Sequence, residues 1–143
     1  MRFVLLLKAN RASEAGLLSS KSLMSAMDGY NDALVKAGVL LDCAGLHPSS
    51  GGVRIDFSPG VRTMTDGPFP EVAQLIAGFW MIQVKSREEA VEWARRCPLP
   101  PGFEDVQVEL RQAFEPADFA EAPREREEPF WTRMEPARGH EVD

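Results

Sequence analysis

The sequence is short of the residues from which most reactive centres are built. Its 143 residues include two cysteines, Cys43 and Cys97, and two histidines, His47 and His140. Two cysteines allow one disulfide on arithmetic, but their spacing fits neither a disulfide framework nor a zinc knuckle. Both read as buried free thiols, and a reducing compartment follows. His140 has no Cys, Asp pair or second His nearby, so no metal site is encoded around it.

Base is also in short supply. Sixteen Lys and Arg against 22 Asp and Glu leave a net charge of -6, which argues against a nucleic-acid partner, since a protein that tracks a phosphate backbone needs clustered positive charge. Long apolar runs are missing as well. Phe3-Val4-Leu5-Leu6-Leu7 is closed by Lys8, too short for the apolar region of a signal peptide and far below the ~18 residues of a membrane span. The expectation is a cytoplasmic protein with no membrane partner. Gly51-Gly52 and Gly60 are not followed by the Lys-Ser/Thr of a phosphate loop, and no nucleophile elbow is present. Nucleotide, metal and acyl-enzyme chemistry are therefore unsupported, and no cofactor is expected.

What is present divides unevenly. Residues 1–114 carry 12 basic and 13 acidic side chains, whereas residues 115–143 carry 4 and 9, so nearly all the negative charge sits on the last stretch. That stretch also holds Pro116, Pro123, Pro129 and Pro136. It reads as a solvated arm appended to a domain of residues 1–114. Phe119, Phe130, Trp131 and Met134 are unusual in such an arm and suggest that it packs on a neighbouring subunit.

Within the body, Phe3 to Leu7 reads as a buried strand and Asn10 to Ser19 as a loop. Leu23, Met27, Tyr30, Leu34 and Ala37 recur at steps of four, three, four and three, which predicts a helix from Ser20, ended by Gly38. Val39 to Leu46 is a second strand. Val53, Ile55 and Phe57 alternate with Arg54 and Asp56; Pro59-Gly60 suits a type II turn, and Val61 to Thr65 returns as the other arm of a hairpin. Gly78 to Val84 is a strand, Ser86 to Glu89 fits a capping box opening a helix that Pro98 forbids beyond Cys97, and Val106 to Arg111 alternates as a last strand.

The order strand, helix, strand, hairpin, strand, helix, strand predicts an α+β fold: a ferredoxin-like split βαβ sandwich with an inserted β-hairpin. Two helices cover one face of an antiparallel sheet. The other face needs a cover, most simply a second copy of the chain.

Asp66-Gly67-Pro68-Phe69 is the most specific local motif. Together with Arg2 to Leu7, Ala37 to Leu40, Gly45-Leu46-His47-Pro48, Glu71, Gly78-Phe79-Trp80 and Glu88 to Ala94, it resembles the DGPF-domain proteins of the YCII-related family over roughly residues 1–114. The resemblance implies a dimeric α+β barrel, paired through the sheet face. Its wider superfamily includes small isomerases, monooxygenases and dehalogenating enzymes acting on aromatic or lactone compounds between sheet and helices. It also leaves open a non-catalytic regulatory or protein-interaction module, since some such proteins are encoded beside extracytoplasmic-function sigma factors. The chain has Ala73 and Gln74 where family members commonly carry Lys and Glu, and residues 20–37 lack the helix His that enzyme-like relatives use.

For chemistry, the candidates are carboxylates and one imidazole. Asp66 is either a general acid/base, which requires burial or a neighbouring like charge, or a turn-capping carboxylate. Glu71 is its partner or a carboxylate in a helix's first turn. His47, at a strand end, is a proton shuttle or a half-exposed structural side chain. Met27, Tyr30, Phe69 and Trp80 are candidate walls for a small aromatic or apolar metabolite, or else ordinary core. Met24 falls on the same side of the helix as Met27. Asp28 and Asp32, one turn apart, read as a solvated acidic face. Lyase- or isomerase-type proton transfer without a metal is the activity these groups would serve.

Overall fold

A computed structural model describes residues 1–17, 20–99, 103 and 105–119. Residues up to Ala113 form one compact unit and those from Phe114 a second. Phe130, Trp131, Met134 and His140 lie outside the described residues, as does most of the segment expected to pack on a neighbour. In the second unit, Phe114 and Phe119 pack ring to ring at 5.2 Å.

The first unit opens with β1 (Arg2–Lys8), in which buried and half-buried residues alternate. The stretch expected to be loop contains a short helix, α1 (Arg11–Glu14). Asn10 makes it possible: its side-chain oxygen accepts from the Ser13 N–H at 2.9 Å while the Ser13 hydroxyl accepts from the Asn10 N–H at 2.9 Å. Four residues are too few to show a helical period.

The long helix α2 spans Lys21–Lys36 and buries Leu23, Tyr30 and Leu34. Gly38 stops it at φ +71. The Gly38 N–H donates to Val35 and the Val39 N–H to Leu34, the paired bonds of a Schellman cap that needs a left-handed residue at that position. Strand β2 (Leu40–Gly45) follows at once.

Strands β3 (Val53–Ser58) and β4 (Val61–Asp66) form a separate two-stranded sheet in which every residue is exposed. Gly60, at φ +77, supplies the positive φ of the turn. Strand β5 (Ile76–Gln83) leads to α3 (Arg87–Arg95), and β6 (Val108–Gln112) closes the unit. The helix start differs from the expected box in one detail. Ser86 accepts from the Glu89 N–H at 3.1 Å, but the Glu89 carboxylate reaches Lys85, one residue before the cap. β6 begins two residues later than expected, although the carbonyl of Gln107 still accepts from the Lys8 N–H at 2.9 Å.

The main sheet has the order β2-β5-β1-β6, with every neighbouring pair antiparallel. This is the α+β, ferredoxin-like arrangement in which two βαβ halves interleave and place β1 and β5 at the centre. Phe3 pairs with Ile82, Leu5 with Trp80 and Leu7 with Gly78; these residues face the helices. There Phe3, Leu5, Trp80 and Ile82 join Tyr30, Leu34, Ala90 and Trp93 in one core. The Tyr30 hydroxyl donates to the Trp93 carbonyl at 2.7 Å, tying α2 to α3. Val4 pairs with Met81 and Leu6 with Phe79 on the opposite face, where all four are only half-buried.

Candidate functional site

A concavity in the first unit lies where α2 crosses the β2 and β5 end of the sheet. It is a pocket of about 290 Å³ lined on the helix side by Leu23, Met24, Met27, Asp28 and Asn31 and on the sheet side by Leu7, Cys43, Gly45 and Trp80, among others. The helix residues at 24, 27, 28 and 31 recur at steps of three, one and three, so one stripe of α2 supplies both the apolar wall and its polar edge.

Trp80 is fixed rather than merely packed. Its indole N–H donates to the Asn31 side-chain oxygen at 2.7 Å, and the Tyr30 ring meets it edge-on at 5.4 Å. Tyr30 itself is buried, with its hydroxyl committed to Trp93, and burial pushes its phenol above the ordinary range. It supports Trp80 without lining the pocket. Met27 and Trp80 are thus the two expected wall residues that line this space.

The Cys43 thiol also lines it, and burial followed by the neighbouring Asp42 carboxylate raises its pKa. A raised thiol remains protonated at neutral pH, which removes it as a ready nucleophile. Cys97, partly buried against the core, is pushed up to about 11 by burial.

His47 is exposed and lines an adjacent hollow of about 340 Å³ with Ser13, Gly16, Leu46 and Pro48. That hollow shares Met24 and Gly45 with the pocket beneath α2. His47 therefore borders the pocket system, whereas Asp66, Glu71 and Phe69 line neither space.

Asp66 ends β4 opposite Val53, exposed to solvent. Its carboxylate makes no hydrogen bond or ion pair among the described residues. The close contacts of the motif belong to its neighbours. A Cβ on Gly67 would come within 1.7 Å of the Ser49 carbonyl oxygen, so only glycine fits, and the Gly67 N–H donates to Gly52 at 2.9 Å. The Phe69 N–H donates to the Ser49 hydroxyl at 3.1 Å. Glu14 in turn accepts from both the N–H and the hydroxyl of Ser49.

Phe69 is half-buried beneath the Arg54 guanidinium, which sits 4.0 Å from its ring centroid. The same guanidinium pairs with Glu71 at 3.2 Å. A hydrogen bond from its own backbone, then that from Arg54, holds the Glu71 carboxyl below its ordinary value. Glu71 is occupied by Arg54. Among the described residues no group of three or more His, Cys, Asp or Glu is assembled that could hold a metal ion. None of the helices in these residues is long and apolar enough to cross a membrane.

Sequence reasoning missed Asn31, Asp28, Ser49 and Glu14. The first two carried a signal, because they fall on the helical stripe that contains Met24 and Met27. Ser49 and Glu14 carried none, since their partnership spans 35 residues and joins two loop-flanked segments.

The model of the YCII-related domain matches residues 1–110. The chain is also similar to a protein of Rhizobium meliloti (strain 1021) named "Uncharacterized protein R00369", at 36% identity over 61 residues. That match covers 43% of this chain and 49% of the relative, so the chain spans about half the length of the curated relative it matches.

Proposed function

The chain belongs to the YCII-related family, and from that premise we propose that it binds a small aromatic or apolar molecule in the pocket between α2 and the sheet. The observation that carries this reading is Trp80, an aromatic wall fixed in place before any ligand arrives, by Asn31 at 2.7 Å and by the edge of Tyr30. A preorganised wall costs little ordering on binding. The volume of about 290 Å³ is at the small end for ligand sites. It corresponds to roughly ten waters at ~30 Å³ each, so the ligand is of single-ring size.

His47 is the group to which proton transfer of the lyase or isomerase type would fall, because it borders the adjoining hollow. Gly45 provides the test. A Cβ there meets nothing within 4 Å, so Gly45→Leu has room to enter the space shared by both hollows, and its far-UV circular dichroism should match that of the wild type. Single-ring aromatic probes should raise the melting temperature of the wild type and not of G45L. Equal shifts in both proteins would remove the pocket as the site.

The open sheet face supports pairing with a second copy of the chain. Val4, Leu6, Phe79 and Met81 form an apolar patch there, flanked by the Arg111–Glu109 pair at 3.5 Å. Light scattering should give a dimer for the wild type and a monomer for Leu6→Glu/Phe79→Glu; a wild-type monomer would retire the pairing.

A further inference from the structure

We propose that the ligand of this pocket is a cation, an amine carried on a single-ring or short apolar body. This rests on the pocket reading above and names its ligand class. Charge balance at the pocket sets the ligand class. Among the described residues that line the space, Asp28 is the one charged side chain, and its carboxylate makes no hydrogen bond or ion pair with any other described residue. It sits four residues after Met24 and one after Met27, so a molecule seated between the methionines and Trp80 lies beside it.

An anion in that position meets a carboxylate with no lining cation to offset it. A neutral molecule gains burial alone, whereas an ammonium gains burial and an ion pair. The pocket wall strengthens this preference, because a low-dielectric surface beside a single charge focuses its field into the opening. Cys43, the other ionisable side chain of the lining, stays a neutral thiol at physiological pH because burial raises its pKa, so Asp28 sets the sign of the site by itself. Asn31 is uncharged and its side-chain oxygen already accepts from Trp80, so it adds at most one further acceptor for the amine and no ion pair.

Three probes of the same ring and similar length separate the possibilities: 2-phenylethylamine, 2-phenylethanol and phenylacetate, titrated against the full chain while the methyl resonances of Met24 and Met27 are followed by NMR. The amine should bind about fivefold more tightly than the alcohol at low salt, the scale of an ion pair at a pocket mouth. Phenylacetate should bind most weakly. Asp28→Asn should bring amine and alcohol to the same affinity. Asp32→Asn makes the same charge change one turn further on, at an exposed residue that does not line the pocket, and should leave the ranking intact. Equal binding of amine and alcohol to the wild type overturns the cation inference while leaving the pocket reading standing, as does an amine preference that survives in D28N. If none of the three probes moves the methyl resonances, the pocket reading fails and takes this inference with it.

Discussion

Glu14 grips Ser49 with both carboxylate oxygens, one on the backbone N–H at 2.9 Å and the other on the hydroxyl. The hydroxyl then accepts from the Phe69 N–H at 3.1 Å. Three segments far apart in sequence thereby meet at one serine, and the root of the exposed hairpin is tied to α1.

Ser49→Ala removes the hydroxyl from this relay and leaves the Glu14 carboxylate and the Phe69 N–H each short of a partner. Loss of a partly buried, charge-assisted hydrogen bond costs about 1–3 kcal/mol. Urea unfolding should show S49A less stable by that amount. Glu14→Gln should lose less, because a carboxamide oxygen still accepts one of the two bonds. S49A with unchanged stability would show that the relay contributes nothing net.

Two glycines make opposite predictions. Gly67 lies so close to the Ser49 carbonyl that a methyl group has no room, and the obstructing atom belongs to the backbone. Gly67→Ala should therefore displace the segment or the Ser49 turn, at a cost of roughly 2 kcal/mol or more. Gly29 lies inside α2, where an added methyl would meet nothing within 4 Å. Gly29→Ala should raise stability by about 0.5–1 kcal/mol through helix propensity alone. Thermal unfolding of the two variants checks both signs at once.

Much of the fold could be read from local patterns. The α2 stripe, Gly38, the Pro59-Gly60 turn and the Ser86 cap are each decided within a few residues, and each has its expected place. α1 escaped because four residues show no period, although Asn10 and Ser13 held the information in their capping bonds. The site was less legible. Met27 and Trp80 were visible as apolar residues on the right elements, but Tyr30 serves as a support for Trp80, which only the tertiary packing reveals. Phe69 and Glu71 belong to Arg54, and nothing in the local sequence couples position 54 to positions 69 and 71. Asp28 looked like solvated charge because helical spacing says which residues share a stripe, not which stripe overhangs a hollow.

The Arg54–Glu71 pair gives a pH dependence of defined sign. The Glu71 carboxyl is held below its ordinary value of 4.5, first by a backbone hydrogen bond and then by Arg54. A carboxyl lowered on folding stabilises the native state above its unfolded value, and that contribution disappears as pH falls through the lowered folded value. Wild type should therefore exceed Glu71→Gln in stability at neutral pH, with the gap closing only below about pH 4.5, and closing further as salt is added. An NMR titration of the Glu71 carboxyl should give a midpoint below 4.5, moved upward in Arg54→Met. A midpoint unaffected by R54M would dissociate the guanidinium from the shift.

The two thiols offer a direct check on where the pocket lies. Both are raised by burial, Cys97 to about 11, so both should alkylate more slowly with iodoacetamide at pH 7 than an unperturbed thiol, because the thiolate is the reacting form. Cys43 lines the pocket opposite α2, whereas Cys97 packs against the core formed by Tyr30 and Trp93. Cys43 should therefore react first, as the less buried and less strongly shifted of the two. A single-ring ligand bound between Met27 and Trp80 covers the Cys43 sulfur and leaves the surroundings of Cys97 untouched. Mass spectrometry of the alkylated chain should accordingly find Cys43 protected by 2-phenylethylamine at saturating concentration and Cys97 modified at the same rate with or without it. Protection of Cys97 in place of Cys43 would put the ligand on the other side of the sheet's helical layer and move the site away from Trp80.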